Sequence, residues 1–316
     1  MKALVMSEPG NVKMTELPMP EMKPDEVLVR VRAAGICIND VRDFKGECDY
    51  SYPRIGGHEF AGEIYEIGSE VNKNRFRVGQ RVVTYVVDNC KECYYCKNGF
   101  ENVCPDSLNS ITYKNPDGIS GFCGFGQFVV AKAEDLYIAD DNVPFEKLAV
   151  VEPVACVINS INNANVEFGD DVLVIGGGTM GMLHVMLAHM KGANVILSEP
   201  VEERRKKALE LGANAVIDPT KVDVAEEVKR LTDGLGAKIV FNTTAIPAIA
   251  LQALDCTAKC GTMVMFSSLH PNKPVEINLG AIHSTQKNIT GAQNGTVKTF
   301  WQAVKMLNRG VFDPTP

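Results

Sequence analysis

Up to about residue 150 the apolar residues come in short runs, Val27–Val31, Glu63–Ile67, Arg81–Val87 and Phe128–Ala131, separated by Gly, Pro, Asn and Asp. Runs of that length between turn-forming residues predict strands and a β-rich first half. From about Asp171 the pattern changes. Val172–Ile175 leads into a glycine-rich turn and a helical stretch to Lys191, and Asn194–Leu197 leads into a helix over Val201–Leu211. Ala215–Ile217, Lys238–Phe241 and Thr262–Phe266 continue the strands, with helices predicted at Val224–Thr232 and Ala248–Thr257. Strands alternating with helices of this length predict a parallel, doubly wound α/β sheet. A last helix is expected over Val297–Asn308, after which the chain stops at Asp313-Pro314-Thr315-Pro316.

Composition narrows the function. The 316 residues carry 32 basic and 39 acidic side chains, a net charge of −7, and 45% of them are apolar. Such a chain can bury a sizeable core, and its charge disfavours binding to nucleic acid, whose phosphates need clustered Lys and Arg. The apolar stretch from Val172 to Ala188 is interrupted by Gly176, Gly177, Gly178 and Gly181, so no membrane span is expected. The first six residues are too short for the apolar region of a signal peptide, and a cytoplasmic protein is expected.

Three motifs carry chemistry. Gly176-Gly177-Gly178-Thr179-Met180-Gly181 is a G-x-G-x-x-G that follows a strand and opens a helix. Glycines there allow a tight turn and close approach of a pyrophosphate to a positive helix N-terminus. Glu199, at the end of the next strand, suits the ribose hydroxyls and repels a 2′-phosphate, so NAD is expected over NADP, although Arg204 and Arg205 lie nearby. Secondly, Cys90, Cys93, Cys96 and Cys104 form C-x2-C-x2-C-x7-C within polar surroundings. Four thiolates at that spacing close a tetrahedral zinc site with no open position, so it is structural. The third motif is split: Cys37, then Gly57-His58-Glu59, then Glu152-Pro153. A thiolate, an imidazole and a carboxylate leave a fourth position open, as a catalytic zinc requires. His184, His189, His270 and His283 are read as packed or solvated side chains, the last two in loops.

Together with Ala34-Gly35-Ile36-Cys37, these motifs resemble the zinc-dependent medium-chain dehydrogenases, in the sorbitol (L-iditol) and threonine dehydrogenase branch. The resemblance covers the whole chain in the family's order. It implies a GroES-like catalytic domain over residues 1–153, with a zinc lobe at about 88–106, and a Rossmann NAD-binding domain over 154–292. A segment over 293–316 would return to the catalytic domain, truncated relative to the family's usual end. Two zinc ions per chain are implied. Cys37 and His58 would be ligands of the catalytic one, with Glu59 and Glu152 as the carboxylates that ligate or support it. A homodimer or homotetramer and a small-molecule alcohol or ketone substrate are implied as well.

The sequence departs from that family where the substrate's proton leaves. Asn39 stands two residues after Cys37, where Ser or Thr is usual, and Arg42 stands five after it, where His is usual. An amide is not a proton carrier and a guanidinium does not deprotonate in proteins. The proton is therefore expected to be rerouted, with Glu152 as its acceptor, and Arg42 either recognises charge or faces solvent beside Asp40 or Asp43. The expected reaction is NAD-dependent oxidation of a secondary alcohol of a polyol, sugar or amino alcohol to a ketone. The alternative is a catalytically weak nicotinamide-binding or structural protein of the same fold.

Overall fold

A computed structural model describes residues 1–107, 118–269 and 272–315. Their contacts divide them into two units, Met1–Ala155 with Asn294–Thr315, and Cys156–Gln293. His270 lies outside the described residues.

In the first unit a five-stranded antiparallel sheet runs in the order Phe128–Lys132, Glu26–Ala34, Phe60–Ile67, Arg81–Thr84, Leu136–Ile138. Val27, Val29, Ile64, Val82, Ala131 and Leu136 supply its buried face, closed by Val71 and Phe76 from a loop. Lys2–Glu8 and Asn11–Glu16 form a separate hairpin, joined to Gly126 and Arg54 by isolated bridges. A second cluster of Ala3, Val5, Ile55, Phe60, Ile119, Cys123 and Val129 lies under it.

The segment after residue 293 is held to this unit by polar and aromatic contacts. Tyr85 donates its hydroxyl to Gly295 O (3.1 Å), Tyr137 donates to Val297 O (3.0 Å), and Glu101 accepts the Val297 N–H (2.6 Å). Phe300, on the helix Val297–Asn308, packs edge-on against Tyr85 with centroids 5.3 Å apart. Thr296 caps that helix by accepting from Thr299 N, which is why the helix starts where the sequence predicts.

The second unit contains a six-stranded, wholly parallel sheet. Its order is Ala215–Ile217, Asn194–Ser198, Asp171–Ile175, Ala237–Asn242, Thr257–Met265, Asn288–Gly291. In order of appearance along the chain the strands therefore run 3-2-1-4-5-6, the dinucleotide-binding arrangement with its switch point beside the first strand. Five of the six match predicted runs. The sixth, Asn288–Gly291, has only one strongly apolar residue, Ile289, and no period-2 alternation to reveal it. The segment holding His283, expected as a loop, is the helix Leu279–Thr285 capped by Asn278, and His283 is exposed on it. The helix Val151–Ala164 also went unpredicted, and the division between the units falls within it.

Candidate functional site

In the second unit the strand Asp171–Ile175 ends in the glycine turn, and the helix Thr179–Met190 begins with Gly178 as its N-cap. Gly176 has φ +99°, a left-handed conformation that a side chain resists. A Cβ on Gly181 would overlap the carbonyl oxygen of Gly176, so that glycine lets the helix pack against the turn. Gly178 differs, because a Cβ there would meet nothing within 4 Å. Protein packing therefore does not require this glycine, and the exposed space over the helix N-terminus is free for a ligand. Thr179 is exposed and Met180 half-buried beside it.

Glu199 follows the strand Asn194–Ser198 and is 3% exposed. Its Oε2 accepts the Gly177 N–H at 2.6 Å and its Oε1 accepts from Val201 N at 3.0 Å. The two arginines behave differently. Arg205 donates to the carbonyls of Glu199 and Pro200 and pairs with Asp218 at 3.0 Å, so it braces the loop. Arg204 is largely exposed, with Nη1 3.9 Å from Glu199 Oε1. Thr243, which the sequence reading missed, donates to the carbonyls of Ile175 (2.8 Å) and Gly176 (3.2 Å) and pins the turn. Nothing in the local sequence flags it, because it comes from the loop that follows the strand Ala237–Asn242.

In the first unit Cys90, Cys93, Cys96 and Cys104 bring their four sulfurs within 4.8 Å of one another. Cys93 and Cys96 are 3.5 Å apart and Cys90 and Cys96 3.9 Å, far beyond the length of a disulfide bond. Main-chain N–H groups of Cys93 and Cys96 point at the sulfurs of Cys90 and Cys93, as in a loop shaped to hold thiolates. The arrangement of the sulfurs fits a tetrahedral metal.

Cys37, His58 and Glu59 also converge, with one ligand atom from each within 4.8 Å. Cys37 caps the helix Ile38–Phe44, and Asp40 completes a capping box by accepting the Cys37 N–H (2.9 Å). The other oxygen of Asp40 accepts from Gly57 N (3.2 Å) and lies 3.9 Å from His58 Nδ1. One carboxylate thus joins two loops that are twenty residues apart in sequence, from Cys37 to Gly57. A Cβ on Gly35 would crowd Glu59 Oε2 and its Cβ, so the glycine lets that carboxylate lie close to the loop. Gly57 has φ +83° and lies against Phe125.

The electrostatics of this group resist charge. Burial pushes the Cys37 thiol up to about 12, opposed by the Asn39 main-chain N–H and reinforced by the carboxylates of Glu59, Glu152 and Asp40. Burial also raises the Glu59 carboxyl, with the Cys37 contact opposing it. It lowers His58, against the pull of Asp40. The buried Nδ1 of His58 has no hydrogen-bond partner within 3.5 Å. A soft thiol, an imidazole and a carboxyl that are each costly to charge without a cation suit a divalent zinc, whose charge reverses those costs.

The remaining predicted residues surround this group. Glu152 is half-buried on the helix Val151–Ala164 and near enough for its charge to act on Cys37. Asn39 donates from Nδ2 to Tyr50 Oη (3.1 Å) and accepts from Cys48 Sγ (3.7 Å) at Oδ1. Arg42, half-buried in the last turn of its helix, acts electrostatically on Cys48. Asp43 is committed to Arg54, 3.1 Å away, and to the Tyr52 hydroxyl at 2.8 Å. His184 is fully buried and His189 exposed, consistent with structural and solvated histidines.

Residues 179–309 match the family model for zinc-binding dehydrogenases, and residues 23–141 match the alcohol dehydrogenase GroES-like domain. The chain is 30% identical to a D-arabitol-phosphate dehydrogenase of Enterococcus avium, covering 99% of the chain and 88% of that protein. It is 31% identical to a sorbitol dehydrogenase of Halalkalibacterium halodurans, over 98% and 88%. An L-threonine 3-dehydrogenase of Caldanaerobacter subterraneus is 32% identical, over 92% and 82%. Among solved structures, a chain from Sinorhizobium meliloti 1021 bound to NADP aligns with a TM-score of 0.90 at 28% identity, over 99% and 89%. An alcohol dehydrogenase of E. coli CFT073 complexed with NADH aligns with a TM-score of 0.88 at 26% identity, over 99% and 89%.

Proposed function

The chain belongs to the zinc-binding dehydrogenases, and from that premise we propose that it oxidises a secondary alcohol of a polyol, sugar or amino alcohol to a ketone, with NAD as hydride acceptor. The observation that carries the reading is the convergence of Cys37, His58 and Glu59. These three, with Glu152 beside them, would hold a catalytic zinc, and Cys90, Cys93, Cys96 and Cys104 a structural one. When bound, the catalytic ion supplies Lewis-acid polarisation of the substrate oxygen.

The protein's own residues supply the rest. The glycine turn and the N-terminus of the helix Thr179–Met190 receive the dinucleotide pyrophosphate, and Glu199 receives the adenosine ribose. NAD is favoured over NADP because Glu199 is buried at the loop and would repel a 2′-phosphate, while Arg204 is 3.9 Å away on its exposed side. Glu152 accepts the substrate's proton, directly or through water, since Asn39 and Arg42 cannot carry it. Arg42 is assigned to recognition of an anionic group on the ligand, which its permanent charge suits.

The reading is tested by incubating the protein with a panel of polyols, sugars, amino alcohols and simple secondary alcohols, with NAD or NADP, and following absorbance of the reduced cofactor. NAD reduction with a polyol or amino alcohol supports it, together with two zinc per chain. One zinc per chain and no turnover on any of the panel would favour a nicotinamide-binding protein.

A further inference from the structure

The strand order of the parallel sheet reverses between its first strand, Asp171–Ile175, and its fourth, Ala237–Asn242, and a ligand of such a sheet lies over the carboxyl ends of those two strands. The glycine turn leaves one of them and Thr243 follows the other. The Thr243 side chain is packed into the turn. Its Oγ1 donates to Ile175 O (2.8 Å), with Gly176 O as a second acceptor (3.2 Å), and its main-chain N–H also reaches Ile175 O (3.0 Å). The hydroxyl occupies space that the motif's glycines leave: a Cβ on Gly176 would stand 2.8 Å from Oγ1, and one on Gly181 3.2 Å from it. The first and last glycines of the G-x-G-x-x-G therefore also make room for a residue 67 positions after Gly176.

Thr243 is itself held on both sides. Asn242, fully buried, accepts at Oδ1 from Thr244 N (3.0 Å) and from Thr244 Oγ1 (2.8 Å). Ser267, which follows the fifth strand Thr257–Met265, donates from Oγ to Thr243 O (2.8 Å). The ends of three neighbouring strands thus meet at this threonine. Across the turn, Glu199 accepts the Gly177 N–H. Gly176 O and Gly177 N are therefore both engaged by the protein, whereas the space at Gly178, the helix N-cap, is open.

A turn whose carbonyl is tied back presents its N–H groups in one arrangement, and a ligand then binds without having to order them. We infer that Thr243 is a positioning residue for the cofactor's pyrophosphate: its hydroxyl holds the Gly176 carbonyl and so fixes the turn that receives the phosphates. Its one hydroxyl proton is committed to carbonyls, so it acts through the turn and not on the ligand. This deepens the dehydrogenase reading and rests on its dinucleotide site. Thr243→Val keeps the side chain's shape and the main-chain bond to Ile175 O, but it takes the donor from the Gly176 carbonyl. A confined carbonyl left without a donor favours rearrangement of the turn.

The test is NADH binding followed by its fluorescence, with two competitors: ADP-ribose, which carries the pyrophosphate, and adenosine, which lacks it. Thr243→Val should bind NADH and ADP-ribose about ten-fold more weakly, the usual worth of one hydrogen bond to a confined group. Adenosine, which meets only the Glu199 end of the site, should bind as it does to the wild-type protein. Thr243→Ser, which restores the hydroxyl, should stay close to wild type with all three. A threonine that merely stabilises the fold would weaken ADP-ribose and adenosine alike. Equal weakening of the two competitors, unchanged ADP-ribose binding in Thr243→Val, or a Thr243→Ser protein as impaired as Thr243→Val overturns the assignment and leaves the dehydrogenase reading standing. If Thr243→Val does not fold, Thr243→Ala, which cannot overfill the turn, is measured in its place against the same expectations. Failure of both to fold makes the hydroxyl a requirement of the fold and overturns the positioning role. A wild-type protein that binds neither NADH nor NADPH overturns both readings.

Discussion

Glu199 Oε2 accepts the main-chain N–H of Gly177 at 2.6 Å, so the acid that ends the second strand of the parallel sheet is tied directly to the glycine turn that follows the first. The residue expected to choose the cofactor therefore also shapes the loop that receives its pyrophosphate. Replacing Glu199 with Ser should shift the ratio of kcat/KM values toward NADP by about ten-fold or more, by removing repulsion of a 2′-phosphate and uncovering Arg204. Initial rates with each cofactor measure it. A wild-type enzyme that already prefers NADP would contradict the role given to Glu199.

The four-cysteine loop should lose about one zinc per chain when Cys93 is changed to Ser. Thermal stability should fall with it, because the loop's shape depends on the metal. Metal analysis and a melting curve of the purified variant test both, and unchanged values in each would remove zinc from the lobe.

Where its zinc stays bound, Glu152→Gln should still lose kcat by roughly a factor of a hundred to ten thousand, the usual worth of a positioned proton acceptor. Restoring Ser at position 39 and His at position 42 in that background should recover part of the loss. Near-normal turnover of a zinc-loaded Glu152→Gln enzyme would show that the proton leaves by water alone.

His184 has a pH signature of its own. Its Nδ1 lies 2.7 Å from Met180 O and its Nε2 3.0 Å from Ser160 Oγ, so the neutral ring donates to the carbonyl and accepts from the serine. Complete burial pushes its pKa down to about 4. The unfolded chain, with an ordinary value of about 6.5, then binds the extra proton first as pH falls. The contribution of His184 is fully present above about pH 6.5. It declines as pH drops toward about 4 and is level below that, with a total of about 3 kcal/mol. Denaturant unfolding at several pH values should show His184→Phe losing that slope relative to the wild-type protein. A difference between the two that stays constant from pH 7 to pH 4 would refute it.

Patterns that repeat locally were legible from the sequence alone. The parallel sheet, the glycine turn and the four-cysteine loop all depend on residues a few positions apart, so period, spacing and composition report them. Cys37, His58 and Glu59 could be picked out by residue type, but that they meet rested on resemblance, because nothing local links a cysteine to a histidine twenty-one residues later. Their convergence depends on Asp40, which accepts from both Cys37 and Gly57 and so holds two loops at one point. Thr243 and Tyr50 were invisible for the same reason: their partners, the turn at Ile175–Gly176 for Thr243 and Asn39 and Arg54 for Tyr50, are brought to them by folding. The strand Asn288–Gly291 was missed because its place in the sheet comes from main-chain pairing with Thr262–Met265 and not from an apolar pattern of its own. The sequence by itself determined the elements with a clear apolar period and the chemistry that is carried, because both are set by neighbours in the chain. Only the tertiary structure decided which side chains meet, because hydrogen bonds, burial and desolvation act between residues that are close in space, whatever their separation in sequence.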